Sequence, residues 1–352
     1  MPENKITLTD NVLAEFAGSL LEATGVPAPK AALVAASLVA ANLRGVDSHG
    51  VQLLAFYLER IERGEVDARG EGRVVSEDGG CLVYDGENAL GQVISNICCA
   101  HAGRLAKRQG IACVAVRDSN HFGCAAFWAQ KISDAGCIGI VMCNASAIVP
   151  PWQGREGKLG TNPICMSVPG GEGKPWLLDM ATTTVAAGKI YKAFLSEQPS
   201  IPAGWAMDSA GVPTTDTRAA YGGLLMPLGG YKGSGLGMMV EILCAVLSGG
   251  SMSTEVGGIR TAGRPARTSQ LFMGIDVARF MPQEQFQARM RWLVENVKSA
   301  QPAAGYEEVL VAGEPEWRAE DLRSREGIPV PESLWEKLAA AAARLKVAVP
   351  AD

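Results

Sequence analysis

The apolar residues of this chain fall into two kinds of run, and their alternation limits the folds open to it. Runs of strand length occur at 73–76, 81–84, 111–116, 138–143, 163–168, 176–180, 271–277 and 308–311. Between them stand longer stretches with apolar residues at helical spacing, over about 91–109, from 121 to 135, about 184–196 and 232–248. A further one follows Pro282, where Phe286, Met290, Leu293, Val294 and Val297 make an amphipathic stripe. The first 64 residues read as three helices. Thr9 is a candidate N-cap for Val12, Leu13, Phe16, Leu20 and Leu21, and an Ala/Leu-rich helix covers about 28–43. The third starts just after Ser48-His49 and carries Leu53, Leu54, Tyr57, Leu58 and Ile61. Two short helices close the chain. The Gly/Pro/Thr-rich stretch 199–231 is too long for a plain connector and is expected to be a functional loop. The class is mixed α and β, with helical ends flanking a sheet-containing middle.

Length and composition narrow the function. A chain of 352 residues, 47% apolar and 20% charged, can bury enough surface to order two or three lobes. The net charge of −5, without a basic face in any block, argues against nucleic acid, whose binding depends on neutralising phosphates. The polar start, Met-Pro-Glu-Asn-Lys, is not a signal peptide, and no apolar run reaches the ~18–20 residues that span a bilayer. The nine cysteines are odd in number and contain no Cys-x-x-Cys. Cys98, Cys99, Cys113, Cys137, Cys143 and Cys244 lie in apolar segments, where cysteine acts as a small hydrophobe. A reduced, cytoplasmic protein is expected.

Of three histidines, two sit in ligand-facing settings. His49 lies in Arg44-Gly-Val-Asp47-Ser48-His49-Gly50, between two helices, where Asp47 or Ser48 would cap the next helix. The positive end of that helix disfavours imidazolium and suits His49 to proton exchange near neutral pH. His121, in Ser119-Asn120-His121-Phe122-Gly123, stands at a strand-to-helix junction, where ligands commonly bind. The plainer alternatives are a turn hydrogen bond for His49 and a capping cluster for His121. His101 falls within a helix and reads as packed core. No second cluster with ligand spacing supports a metal. Gly233-Ser-Gly235-Leu-Gly237 opens a helix next to Lys232, whose charge suits a phosphate or carboxylate. It is not the dinucleotide fingerprint, because its third glycine comes one place early and no strand precedes it. Walker A, Gly-x-Ser-x-Gly and His-Glu-x-x-His are all absent.

Taken in order with Gly160-Thr161-Asn162-Pro163, Asp179-Met180-Ala181-Thr182, Gly188-Lys189-Ile190 and Gly230-Tyr-Lys232-Gly, these motifs resemble the type-2 malate/L-lactate dehydrogenase family over about residues 8–345. That family also holds ureidoglycolate, sulfolactate and diketogulonate oxidoreductases and cyclic imino-acid reductases. The resemblance implies a non-Rossmann nicotinamide-binding fold with a largely antiparallel seven-stranded sheet. It also implies a homodimer with its active site near the subunit interface. The expected domains are a helical one (1–72 with 328–352), a small α/β one (73–118 with 293–327) and a cofactor-binding one (119–292).

By the same resemblance, Ser48 and His49 form the proton relay, with His121 the alternative acid/base. His121, Phe122, Gly123, Cys124, Ala125, Asp179, Met180, Ala181, Lys232, Gly233, Gly313, Glu314, Pro315 and Glu316 match cofactor-contacting positions, and Thr161 a substrate contact. Many relatives carry a carboxylate-gripping arginine four residues after the motif histidine, where this chain has Leu53. Arg44, Arg60 and Lys232 are candidates to replace it. Imino-acid reductases tend to have aspartate where Lys189 stands, which points away from imine chemistry. The implied activity interconverts a small 2-hydroxy acid and its 2-keto acid by hydride transfer. NAD is preferred over NADP, since Glu314 and Glu316 would repel a 2′-phosphate. The rivals are a cofactor-independent hydrolase or lyase using His49 and His121, and a non-catalytic binding protein.

Overall fold

A computed structural model of the chain describes residues 5–170, 173–259 and 263–350. In chain order, β1 (Lys5–Leu8) leads into α1 (Asp10–Ala23), α2 (Ala28–Leu43) and α3 (Leu54–Glu62). Next come β2 (Arg73–Asp78), β3 (Cys81–Asp85), α4 (Gly91–Gln109), β4 (Ile111–Ser119), α5 (Ala125–Asp134) and β5 (Cys137–Cys143). β6 (Ile164–Ser167), β7 (Leu177–Met180) and α6 (Ala187–Leu195) follow. Then stand β8 (Ala206–Met207), β9 (Pro213–Thr214), α7 (Thr217–Tyr221), β10 (Leu224–Leu225) and α8 (Tyr231–Glu241). β11 (Thr268–Asp276), α9 (Gln283–Lys298), α10 (Glu314–Glu326), β12 (Ile328–Pro331) and α11 (Glu332–Leu345) complete the chain.

Thr9 caps α1, its hydroxyl accepting from the Val12 N–H at 3.4 Å, and Leu13, Phe16, Leu20 and Leu21 are buried as their spacing requires. β1 pairs antiparallel with β12, which brings both ends of the chain together. One apolar cluster joins α1, α2 and α3 to Ile328, Val330, Leu338 and Ala342.

The main sheet has seven strands in the order β2-β3-β4-β11-β5-β6-β7. It is mixed, where the resemblance implied a largely antiparallel sheet: five of its neighbouring pairs are antiparallel and one is parallel. β3 and β4 run parallel because α4 crosses over between them, as a parallel connection requires, whereas the other neighbours are antiparallel. α4 and α5 cover one face around Trp128 and Phe272, and α8 with the turn after it covers Ala115, Met142 and Leu271.

Three other expectations change. Residues 199–231, expected to be a functional loop, instead hold β8, β9 and β10 as a small sheet, packed with α7 and Val149 over a core of their own, and none of them lines the cavity described below. Residues 308–311 form no strand, the neighbouring contact with β7 being reduced to Leu177 N–H on the Ala312 carbonyl at 3.4 Å. The stripe on α9 faces no core, and none of its residues is buried. All nine cysteines are free thiols, and burial pushes the Cys113 thiol up to about 11. No helix among the described residues is long and apolar enough to cross a membrane.

Candidate active site

The helix expected after His49 begins only at Leu54. Asp47–His49 and Val51–Leu53 are two tight turns, separated by Gly50 in an extended conformation. Asn42, at the end of α2, causes this. Its Oδ1 accepts from the Val51 N–H at 2.8 Å, and its Nδ2 donates to Asp47 Oδ1 at 2.7 Å. Gly50 is required because a Cβ there would lie 2.1 Å from Asn42 Oδ1. Asp47 therefore caps no helix but pairs with Arg323 at 2.6 Å. These turns present Ser48 and His49 to a cavity of about 830 Å³, a volume typical of small-ligand sites.

His121 enters the same cavity from the β4–α5 junction. Asn120 pins that junction by donating to the Asn88 and Ala89 carbonyls at 3.0 and 2.9 Å. The two imidazoles lie nearly parallel, with centroids 5.9 Å apart and planes 18° apart. Their Nδ1 atoms are held differently. His49 Nδ1 is 3.0 Å from Ser48 Oγ, a hydroxyl that can donate or accept. His121 Nδ1 accepts from the Gly123 N–H at 3.2 Å and meets the Tyr57 hydroxyl at 2.6 Å. A backbone N–H can only donate, so His121 Nδ1 is the acceptor and the neutral ring carries its proton on Nε2. Tyr57 then donates as well, and burial raises its pKa, so it remains a phenol.

The opposite needs of charge are met by few groups. Asp179 Oδ2 accepts from the Ala126 N–H at 2.8 Å, capping α5, and from the Cys124 thiol at 3.1 Å. Burial and that carboxylate hold the Cys124 thiol well above its ordinary range. Arg44 is the one Lys or Arg among the described lining residues. It is 6% exposed, its guanidinium lies 4.2 Å from the Trp317 ring centroid, and its Nε has no hydrogen-bond partner. Arg60, a candidate for the missing carboxylate cation, is turned elsewhere. It donates to the Gly258 and Arg264 carbonyls at 2.9 and 2.7 Å and pairs with Glu65 at 3.6 Å, fixing the segment that supplies Gly257, Gly258 and Ile259 to the wall.

The cavity thus gathers Ser48 and His49, His121 to Ala125, Thr161, Asp179 to Ala181, and Gly313, Pro315 and Glu316, with Arg44 beside them. Besides Arg60, three expected residues stand outside it. Lys232 is exposed on the first turn of α8, and Gly233 packs where a Cβ would meet the Leu228 N and Thr182 O at 2.3 and 2.6 Å. Glu314 pairs with Lys298 and accepts from the Val311 N–H at 2.9 Å, capping its own turn. Sequence reasoning missed Tyr57, Asn144 and the Gly257–Ile259 wall. Tyr57 had one available signal, a phenol in an otherwise aliphatic stripe.

Comparison with known proteins agrees in length and fold. A family model described as malate/L-lactate dehydrogenase matches residues 8–339. The chain is 37% identical to a malate dehydrogenase of Pyrococcus horikoshii, over 98% of this chain and 97% of that one. It is 34% identical to an NAD(+) ureidoglycolate dehydrogenase of Escherichia coli K12, over 89% of each. The solved sulfolactate dehydrogenase of Methanocaldococcus jannaschii superposes with a TM-score of 0.91 at 32% identity, covering 97% of this chain and 98% of that one.

Proposed function

Because this chain belongs to the malate/L-lactate dehydrogenase family, we propose that it interconverts a small 2-hydroxy acid and its 2-keto acid with NAD as cofactor. The observation that carries this reading is the pair of stacked imidazoles at one cavity, 5.9 Å apart, with different partners on Nδ1. The cavity also suits a dinucleotide. Its 830 Å³ exceed the needs of a small acid alone, and the buried Arg44 Nε lacks a partner that an anionic ligand would supply. A nicotinamide bound there would exchange hydride with the carbon bearing the hydroxyl.

The residues divide the remaining work. His49 is the acid/base, because the Ser48 hydroxyl can serve either tautomer as the proton comes and goes. His121 polarises the substrate oxygen through Nε2–H, its other nitrogen being held by two donors. Proton release from Nε2 would call on Tyr57 to ionise in a buried site, which is unfavourable. Phe122 to Ala125, Asp179 to Ala181, Gly313, Pro315 and Glu316 would hold the cofactor, and Arg44 its phosphates. Thr161 would contact the substrate, and Lys232, Gly233 and Glu314 support the wall from outside. Preference for NAD rests on Glu316, since Glu314 is neutralised by Lys298. Leu53 leaves the acid's carboxylate to neutral donors such as Ser48 and Thr161, both of which line the cavity. The binding fold is read as non-Rossmann, given the mixed strand order, with the three-domain division set out above. A cytoplasmic homodimer is the proposed working form.

The test is a panel of 2-keto acids (oxaloacetate, pyruvate, sulfopyruvate, oxalurate) with NADH and NADPH, followed by cofactor absorbance. Turnover of at least one acid, faster with NADH, is the expected result. Failure to bind either nucleotide refutes it.

A further inference from the structure

Part of the cavity wall, formed by Asn144, Ala145, Ser146 and Thr161, belongs to no helix or strand. A buried carboxylate holds this irregular chain in place. Glu241, the last residue of α8, is 6% exposed. One oxygen accepts from Asn162 Nδ2 at 3.0 Å, and the other from Asn144 Nδ2 at 3.1 Å and the Ser253 N–H at 3.3 Å. Both asparagines are buried and use their remaining atoms to fasten the wall. Asn162 Oδ1 accepts from the Ala145 N–H at 3.0 Å, and Asn144 Oδ1 from the Ser269 N–H at 2.7 Å. Asn162 sits at φ 34°, a region asparagine tolerates better than most residues. A Cβ on Gly160 would fall 2.4 Å from both the Ala145 carbonyl and Asn162 Oδ1. The run Gly160-Thr161-Asn162-Pro163 is thereby accounted for. Directly after Glu241 the helix widens into a π-turn, Ile242–Val246, a distortion frequent at functional sites.

We infer that Glu241 is a positioning residue for the substrate end of the cavity, fixing Thr161 and the Asn144–Ser146 segment without touching the reactants. Every partner of its carboxylate is an N–H donor, so an amide of the same size turns an acceptor into a donor facing donors. The kinetic part of this assignment rests on the dehydrogenase reading, whereas the structural part does not.

The experiment compares Glu241→Gln and Glu241→Asp with the unchanged full-length protein by amide hydrogen exchange, steady-state kinetics and NADH titration. In Glu241→Gln, peptides covering 143–148 and 159–163 exchange faster, while those covering 121–127 do not change. KM for the best 2-keto acid rises about tenfold, as expected for one buried hydrogen-bonding partner lost, and the NADH dissociation constant stays within about threefold. Glu241→Asp, which keeps the acceptors but shortens their reach, falls between. Unchanged exchange in both wall peptides overturns the inference. So does an equal loss of NADH affinity with faster exchange throughout, which marks a general role in stability. If the unchanged protein turns over no 2-keto acid, the dehydrogenase reading fails, and the exchange data alone decide whether Glu241 holds the wall.

Discussion

His49 and His121 are the same chemical group in one cavity, and only their neighbours separate their roles. The Ser48 hydroxyl can serve either tautomer of His49, whereas the Gly123 N–H and the Tyr57 hydroxyl hold His121 Nδ1 as an acceptor, the difference on which the proposed roles rest. His49→Ala is therefore expected to lower kcat by about 10²–10⁴-fold, the usual worth of a general acid/base. NADH binding, followed by fluorescence titration, should persist. Near-normal turnover in that variant would remove His49 from the mechanism. Both histidines were legible because imidazoles are scarce here and each sits in a polar, glycine-flanked turn. Tyr57 was not, since its position in the Leu53–Ile61 stripe made it look like packing. Arg60 was misread for a different reason: its carbonyl partners at Gly258 and Arg264 lie about two hundred residues away, beyond the reach of local pattern.

At the scale of elements, the turns between α2 and α3 decide where Ser48 and His49 point. Gly50→Ala would drive a methyl group into the buried Asn42 amide and break its bonds to Val51 and Asp47. Unsatisfied buried groups cost roughly 1–3 kcal/mol each, so urea unfolding should show a loss of that order together with reduced turnover. Full activity and unchanged stability would mean that the turn adapts without effort. Apolar periodicity located most helices and strands of the main sheet, because burial on one face leaves a strong imprint. It failed where packing is absent or local. The 308–311 run is apolar but has no strand partner, and 199–231 forms short strands too brief to show alternation. The parallel β3–β4 pair depends on the crossover by α4, a topological fact that residue spacing does not record.

The whole molecule leaves apolar surface that its own chain does not cover. Tyr231, Met238, Ile242 and Val246, at helical spacing on α8 and its π-turn, are 48–62% exposed, and α9 buries nothing along its stripe. Such patches commonly mark association sites. Light scattering should give about twice the 37.0 kDa chain mass, and Ile242→Glu should shift the protein toward that single mass. A monomer in the unchanged protein would refute the dimer. One further property of the architecture bears on biosynthesis. Among the described residues the strand Lys5–Leu8 pairs with Ile328–Pro331, so this seam of the lobe that carries His49 cannot close until residue 331 has left the ribosome. A nascent chain interrupted before that point would lack the seam, and the turns that carry Ser48 and His49 would stand on a lobe still open along one edge.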